Sequence, residues 1–191
     1  MPSDDRPAPS TGRNVELKAR CADVEEAERR ALAAGAVPTA VLHQRDTYFA
    51  APRGRLKLRE ERREPWPGYD GEHDLTAELV HYERTDEAVA RASAYDLLPV
   101  DDPATVRATL DERLGVTVEV VKTRGLLLWR GVRVHLDDVD GLGTFVELEA
   151  VVGPAGDEEE CAAKVAELRG VLGIEDADVQ ARGYAGLLAG D

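Results

Sequence analysis

The chain has 191 residues, of which 24 are Lys or Arg and 38 are Asp or Glu, so its net charge at pH 7 is -14. This acidic balance disfavours general attraction to nucleic acid or to anionic membranes. The chain is 43% hydrophobic, which is enough for a packed core, and its length suits one domain. No apolar run approaches the roughly 18 residues that a membrane helix needs.

The start of the chain, residues 1–12, is rich in proline and serine and is predicted to be a disordered tail before one domain over 13–191. It lacks the apolar segment of a secretory signal, so a cytoplasmic protein is expected. Cys21 and Cys161 show no Cys-x-x-Cys spacing, and the histidines show no paired spacing either. A zinc site is therefore not predicted.

Alternating polar and apolar residues predict most of the secondary structure. The first strand covers residues 13–20, and a helix capped by Asp23 follows over 24–34. Further strands are predicted over 41–50, 55–62, 75–84, 116–129, 132–136 and 144–152. Two more helices are predicted over 102–114 and 157–172. The segment 64–71 contains two prolines and two glycines, so it is predicted to be a loop, with Trp66 near its tip.

Basic side chains recur at every second position on several of these strands, so that they share one face. The stripes are Arg55, Lys57 and Arg59; Lys122 and Arg124; and Arg133 with His135 and Asp137. For any one strand, the simplest interpretation is a sheet with one wet face, where the charges are only solvated. Several such strands together favour a shared binding site.

Acidic side chains follow the same spacing. Glu147 and Glu149 share a face about 7 Å apart along the strand, and Glu16 lies on the first strand. Each carboxylate could simply neutralise a neighbouring cation. Grouped carboxylates, however, are also the ligands of Mg²⁺ or Mn²⁺, while Lys and Arg bind phosphate directly. Clusters of both signs facing one cavity predict a polyphosphate and metal site.

A closed antiparallel barrel would bring these polar faces together. A barrel of about eight strands has an interior just wide enough for one small ligand. The apolar faces would then lie outside, under helices. The predicted fold class is therefore α+β, with a closed or nearly closed eight-stranded antiparallel barrel and flanking helices.

The ordered motifs over roughly residues 13–185 resemble the CYTH proteins, the group named for class IV adenylate cyclases and thiamine triphosphatases. Asn14-Val-Glu-Leu-Lys18 is similar to the Glu-x-Glu-x-Lys signature of that group. The motifs that follow in family order are Gln44-Arg-Asp-Thr-Tyr-Phe49, Arg55-Leu-Lys-Leu-Arg59, Glu78-Leu-Val-His-Tyr-Glu-Arg84, Lys122-Thr-Arg124, Arg133-Val-His-Leu-Asp137 and Gly143-Thr-Phe-Val-Glu-Leu-Glu149. The chain looks most like the class IV cyclase branch, which implies a triphosphate tunnel barrel.

The resemblance implies a role for each matching charged residue. The implied metal ligands are Glu16, Glu147 and Glu149, with Asp137 joining them directly or through water. The implied triphosphate-binding residues are Lys18, Lys57, Arg59, Lys122, Arg124 and Arg133, of which Lys18, Arg59 and Arg124 are the expected catalytic residues. Asn14 stands where the signature has its first Glu, so the number of metal ions stays open.

The six cations implied to bind the triphosphate, called the clamp below, would suit two reactions. A ribose 3′-hydroxyl aimed at the α-phosphorus of ATP gives cyclic AMP and pyrophosphate, whereas water aimed at the terminal phosphorus gives orthophosphate. The resemblance therefore implies an enzyme dependent on Mg²⁺ or Mn²⁺, with adenylate cyclase as the first hypothesis. The alternatives are an inorganic, thiamine or nucleoside triphosphatase, a non-catalytic polyphosphate-binding module, and a structural domain with solvated charges.

The expected partner is a small triphosphate, namely ATP, tripolyphosphate or thiamine triphosphate, and neither nucleic acid nor a membrane is expected. The sequence leaves open whether the chain forms a homodimer. The candidate contact surfaces are exposed barrel edges and the Trp66 loop. The same loop is also a candidate lid over one mouth of the barrel.

Overall fold

The computed structural model describes residues 10–71, 73–83, 91–153 and 157–190. Within these ranges the strands are β1 (Ser10–Arg20), β2 (Val37–Phe49), β3 (Arg55–Pro65), β4 (Asp74–Glu83), β5 (Arg91–Pro99), β6 (Val116–Trp129), β7 (Val132–Val139) and β8 (Gly143–Val151). The α-helices are α1 (Val24–Ala33), α2 (Pro103–Leu114), α3 (Glu158–Leu172) and α4 (Tyr184–Ala189), and a short 3-10 turn covers Asp176–Asp178.

The strands form a closed antiparallel barrel in the order β1-β5-β4-β3-β2-β6-β7-β8. The last strand pairs back with the first, so that Lys18 lies opposite Glu147 and Glu16 opposite Glu149. The predicted fold class is confirmed. Because every described strand has a partner on both sides, exposed barrel edges are not available as a dimer surface among these strands.

The strands differ from the predicted ones in several places: β2 starts at Val37 and β7 ends at Val139, and β1, β3 and β5 differ as well. Residues 10–12, predicted to belong to the tail, are part of β1 because they pair with β5. Strand β3 continues to Pro65, where a proline at the strand end removes no interior ladder bond. Strand β5 was not predicted, since its sequence is rich in alanine and lacks clean alternation, and pairing with β1 and β4 holds it in the barrel.

Some of the predicted features cannot be compared with the structure. Residues 1–9 of the predicted tail lie outside the described residues, and so does Arg84, which ended a predicted strand and a family-like motif.

The cap predicted at Asp23 is present, and α2 and α3 are capped in the same way. The side chains of Asp23, Asp102 and Asp157 each accept a hydrogen bond from a backbone N–H in the first turn of α1, α2 and α3. Such caps satisfy donors that the helix itself leaves unpaired. No helix in the described ranges is long and apolar enough to cross a membrane.

The main hydrophobic core lies outside the barrel, between the sheet and two helices. Val15 and Leu17 of β1 pack there with Ala31 of α1 and with Val165 and Leu168 of α3. Burial of each large aliphatic side chain contributes about 1.5–3 kcal/mol. Alternate residues of each strand point to opposite faces of the sheet. Because the apolar ones pack outward against the helices, the polar ones between them face the barrel interior.

The Trp66 loop packs against this outer core. A Cβ on Gly125 would lie 3.1 Å from the Trp66 ring, so the absence of a side chain at Gly125 makes room for the indole on the barrel wall. Trp66 therefore contacts the outside of the sheet, and its ring does not act as a lid over the cavity.

Candidate active site in the barrel interior

The barrel interior contains a polar cavity of about 250 Å³. All eight strands and the start of α4 contribute side chains to its lining. On β1, for example, Asn14, Glu16 and Lys18 face the cavity, while Val15 and Leu17 face the helices. The period of two along each strand therefore separates the site from the core.

All the residues predicted to bind phosphate line this one cavity. They are Lys18, Lys57, Arg59, Lys122, Arg124 and Arg133. The three lysines and Arg124 are buried, and Arg59 is half-buried. Arg133 keeps 46% of its side chain exposed, which puts it at an opening of the cavity. Their shared interior position excludes the alternative of solvated charges on a wet sheet face.

A first cluster of cations surrounds Asp46, which is 1% exposed. Its carboxylate accepts hydrogen bonds from Lys57 Nζ at 2.7 Å, from Arg59 Nε at 2.8 Å and from Lys122 Nζ at 3.3 Å. Burial works to raise the pKa of the Asp46 carboxyl, but the three cations together hold it well below its usual value. Asp46 therefore carries a full negative charge and orients half of the predicted clamp.

The same burial weakens the charge of two lysines in this cluster. Burial lowers the pKa of Lys57 to about 8 and that of Lys122 to about 7, and neighbouring cations contribute to both shifts. Near neutral pH the Lys122 amine is therefore only partly protonated. An anion bound beside it would favour the charged form.

A second cluster is centred on Glu147. Its two oxygens accept hydrogen bonds from Lys18 Nζ at 2.9 Å and from Arg124 Nη2 at 2.6 Å. Burial works to raise the pKa of the Glu147 carboxyl, but Lys18 and Arg124 hold it well below its usual value. Two of the three predicted catalytic residues thus share one predicted metal ligand.

Asp137, predicted as a fourth metal ligand, does not line the cavity. It is fully buried and accepts two hydrogen bonds from Arg124, through Nε and Nη2, both at 2.6 Å. The hydroxyl of Tyr184 donates to the same carboxylate at 2.6 Å. Burial works to raise the pKa of Asp137, and Arg124 overrides it and lowers that pKa to about 2. In this arrangement Asp137 orients Arg124 from behind.

A third cluster involves Glu149 and Glu16, which lie opposite each other on β8 and β1. Glu149 accepts a hydrogen bond from Asn14 Nδ2 at 2.6 Å and lies 3.4 Å from Arg133. Burial works to raise the pKa of Glu149, but His135, Arg133 and Asn14 together lower it. Glu16 lines the cavity as well, so the three carboxylates predicted to bind metal share one space.

Glu147 and Glu149 are held in ion pairs, and no three His, Cys, Asp or Glu side chains of the described residues are already gathered as a metal site. Two polar atoms beside them, Asn14 Oδ1 and His135 Nδ1, are nevertheless buried without a hydrogen-bond partner. The His135 ring lies between Glu147 and Glu149, at 3.7 and 3.8 Å. The carboxylate oxygens and the unpaired amide oxygen of Asn14 fit a divalent cation such as Mn²⁺ or Mg²⁺.

One wall of the cavity is aromatic. The hydroxyls of Tyr48 and Tyr82 lie 3.4 Å apart, and Lys57 Nζ lies within 6 Å of both ring centroids. A Cβ on Gly12 of β1 would overlap the hydroxyl end of Tyr95, so this glycine makes room for the tyrosine. This wall places flat apolar surfaces directly beside the cations.

Sequence reasoning missed several residues that line the cavity, namely Asp46, Tyr48, Glu78, Tyr82, Tyr95 and Tyr184. A signal existed for Asp46 and Tyr48, since both alternate with Gln44 on a predicted strand. Tyr95 belongs to the strand that was not predicted. Tyr184 lies in a C-terminal segment without strand periodicity, and only the tertiary structure brings it to the cavity.

The family model described as the CYTH domain matches residues 12–184 of the chain. A search of curated proteins finds no match. The match to the family model covers all of the strands except the first two residues of β1.

Solved structures share the fold at low sequence identity. The PH1012 protein of Pyrococcus horikoshii is 23% identical, with 91% of this chain and 98% of that chain covered and a TM-score of 0.71. A Vibrio parahaemolyticus protein, provisionally assigned as an adenylate cyclase, is 20% identical, with coverages of 92% and 97% and a TM-score of 0.61. A Hippeastrum protein, provisionally an adenylyl cyclase with a dominant triphosphatase activity, is 15% identical, with coverages of 94% and 96% and a TM-score of 0.57.

Proposed function

The chain belongs to the CYTH family, and from that premise we propose that it is a divalent-metal-dependent enzyme acting on a triphosphate bound inside the barrel. The observation that carries the proposal is the charge of the cavity. Its lining holds six Lys and Arg side chains against five Asp and Glu side chains, in a chain whose net charge is -14. An acidic protein has thus gathered six basic side chains around one interior cavity.

Burying these cations inside the barrel costs free energy, and an anionic ligand bound beside them would offset that cost. Removing a charged side chain from water costs several kcal/mol, and ion pairs inside a protein offset that cost only in part. Three lysines and Arg124 are each less than 10% exposed. A bound polyphosphate, with several charges spread over its oxygens, would supply the partners that these cations suit best.

We assign the roles as follows. The phosphate chain would contact the six cations, with Lys18, Arg59 and Arg124 nearest the reacting phosphorus. Glu16, Glu147 and Glu149 would hold the metal ion, whose charge would neutralise phosphate oxygens when it is bound. Both oxygens of Asp137 are already used by Arg124 and Tyr184, which supports a positioning role for it over direct metal binding.

Among the reactions, adenylate cyclase is the first candidate, because the motifs are most similar to the class IV cyclase branch. The aromatic wall supports it: Tyr48, Tyr82 and Tyr95 provide ring faces beside the cations, where an adenine or another flat organic group would pack. Triphosphatase is the second candidate. It needs only water as the nucleophile, and the same cations would hold its substrate.

Product analysis tests the proposal. The purified protein would be incubated with ATP, tripolyphosphate or thiamine triphosphate, each with Mg²⁺ or Mn²⁺. Cyclic AMP with pyrophosphate identifies a cyclase, and orthophosphate identifies a triphosphatase. If calorimetry shows tight binding of tripolyphosphate but no product forms, the protein is a non-catalytic binding module. If the protein neither turns over nor binds any of these triphosphates, the proposal is contradicted.

A matched pair of variants ties any turnover to the cavity. Glu149→Gln removes a charge from the proposed metal site at nearly constant shape, and we expect it to abolish metal-dependent turnover while the barrel stays folded. Glu167→Gln is the control, since Glu167 lies on α3 and pairs with the exposed Arg130. Full activity in Glu149→Gln would show that Glu149 is not a ligand of the metal ion.

A further inference from the structure

A closed cycle of contacts joins the C-terminal helix to the predicted clamp. The Tyr184 hydroxyl donates to Asp137 at 2.6 Å, and Asp137 holds Arg124 through two hydrogen bonds of 2.6 Å. Arg124 also donates to Glu147 at 2.6 Å, and Glu147 accepts from Lys18 at 2.9 Å. The cycle returns to its start because Lys18 Nζ lies 3.7 Å from the centroid of the Tyr184 ring.

The position of Tyr184 is fixed by apolar packing at one end of the barrel. Val120, Val139 and Phe145 turn inward at this end, and the Tyr184 ring meets Phe145 edge to face at 5.0 Å between centroids. Leu188 of α4 packs against the same cluster. The short helix is therefore docked by its apolar residues, while its first residue reaches the cavity.

We propose that Tyr184 is a positioning residue of the active site, which holds Arg124 through Asp137 and holds the Lys18 ammonium against its ring. This inference rests on the proposed function, since both cations belong to the proposed triphosphate clamp. It makes the C-terminal helix part of the binding machinery as well as a cover for the barrel end.

The hydroxyl and the ring of Tyr184 position different cations of the site. Its hydroxyl satisfies an Asp137 oxygen that also faces Arg124, so the carboxylate and guanidinium keep one orientation. Burial, with Asp137 adding to it, raises the pKa of the Tyr184 hydroxyl well above its usual value, so the group stays a donor. Its ring face attracts the Lys18 ammonium without adding a second counter-charge to the one that Glu147 supplies.

Three variants separate positioning from helix docking. Tyr184→Phe removes the hydroxyl and keeps the ring, Tyr184→Leu removes both, and Leu188→Ala loosens α4 without touching a polar contact. The measurement is the affinity for tripolyphosphate in EDTA, by calorimetry, at a temperature where circular dichroism shows every variant folded. We expect Tyr184→Phe to weaken binding about tenfold and Tyr184→Leu several-fold more, while Leu188→Ala binds like the wild type.

A Lys18→Met background tests the route through the ring. The difference between Tyr184→Phe and Tyr184→Leu measures the loss of the ring, and we expect most of that difference to vanish when the Lys18 ammonium is absent, since the other cation over the ring, Lys122, is farther away at 5.6 Å. If it persists, or if Leu188→Ala weakens binding as much as Tyr184→Leu, then Tyr184 only docks the helix and the inference is overturned.

The outcomes also distinguish this inference from the proposed function. If the wild type binds tripolyphosphate and both Tyr184 variants bind it equally well, only the positioning role fails. If the wild type itself does not bind tripolyphosphate, the proposed function fails and the positioning role falls with it.

Discussion

Inside the barrel, the carboxylate of Asp46 lies 2.7 Å from the ammonium nitrogen of Lys57, and neither group has more than a small contact with solvent. The same carboxylate also binds Arg59 and Lys122. One buried anion thus pairs with three of the cations expected to bind phosphate, and it holds them in place before any ligand arrives.

We expect Asp46→Asn to destabilise the fold by about 3–5 kcal/mol, because three buried cations would lose their shared counter-ion. Urea unfolding measures this loss, and Asp138→Asn, at an exposed residue of β7, is the matched control. Tripolyphosphate should raise the melting temperature of Asp46→Asn more than that of the wild type, since the ligand would replace the missing charge. Equal stability of the two Asn variants would contradict the role of Asp46.

The affinity for tripolyphosphate should fall as the pH rises from about 6.5 to 9. The pKa of Lys122 is lowered to about 7 and that of Lys57 to about 8, so the free protein loses these charges in that range. A bound anion favours the ammonium forms and raises both pKa values. Binding therefore takes up protons, and affinity drops by at most about tenfold per pH unit for each proton taken up.

Calorimetry in buffers of different ionisation enthalpy measures this proton uptake directly. Lys122→Met removes the first titrating group and serves as the comparison, because the protonation of tripolyphosphate itself is common to both proteins. The same pH dependence in both would show that Lys122 does not titrate at the site.

Asn14→Glu restores the first acidic position of the Glu-x-Glu-x-Lys signature. Asn14 Nδ2 donates to Glu149 at 2.6 Å, so a carboxylate in its place would repel Glu149 until a cation binds between them. We expect a lower melting temperature in EDTA and Mn²⁺ binding about tenfold tighter, as measured by electron paramagnetic resonance. Asn14→Gln, which adds length without charge, should show neither change, and unaltered Mn²⁺ affinity in Asn14→Glu would place the metal elsewhere.

Leu148→Ala tests the separation of core from cavity. Leu148 is fully buried in the outer cluster, and it lies between Glu147 and Glu149 in the chain. Truncation should cost about 2–5 kcal/mol of unfolding free energy. The affinity for tripolyphosphate should stay unchanged at temperatures where the protein is folded. A large loss of affinity in the folded variant would show that the two faces of β8 are not independent.

Much of the fold could be predicted from strand periodicity. The alternation of Glu16 and Lys18 with Val15 and Leu17 distinguishes two faces, and the tertiary structure gives each face the environment that its chemistry suits. Strand β5 escaped prediction because its local pattern is weak, and its pairing with β1 and β4 overrides that weakness.

The sequence by itself determined which side chains share a face of each strand, because successive residues of extended chain point to opposite sides. That was enough to group the cations of β3 and β6 and the carboxylates of β8. Only the tertiary structure decided which groups touch across the barrel. The contact of Asp46 with Lys122, the pairing of Lys18 with Glu147 and the contact of Tyr184 with Asp137 all depend on the tertiary arrangement of the barrel. They join residues far apart in sequence, and local periodicity carries no information about such distances.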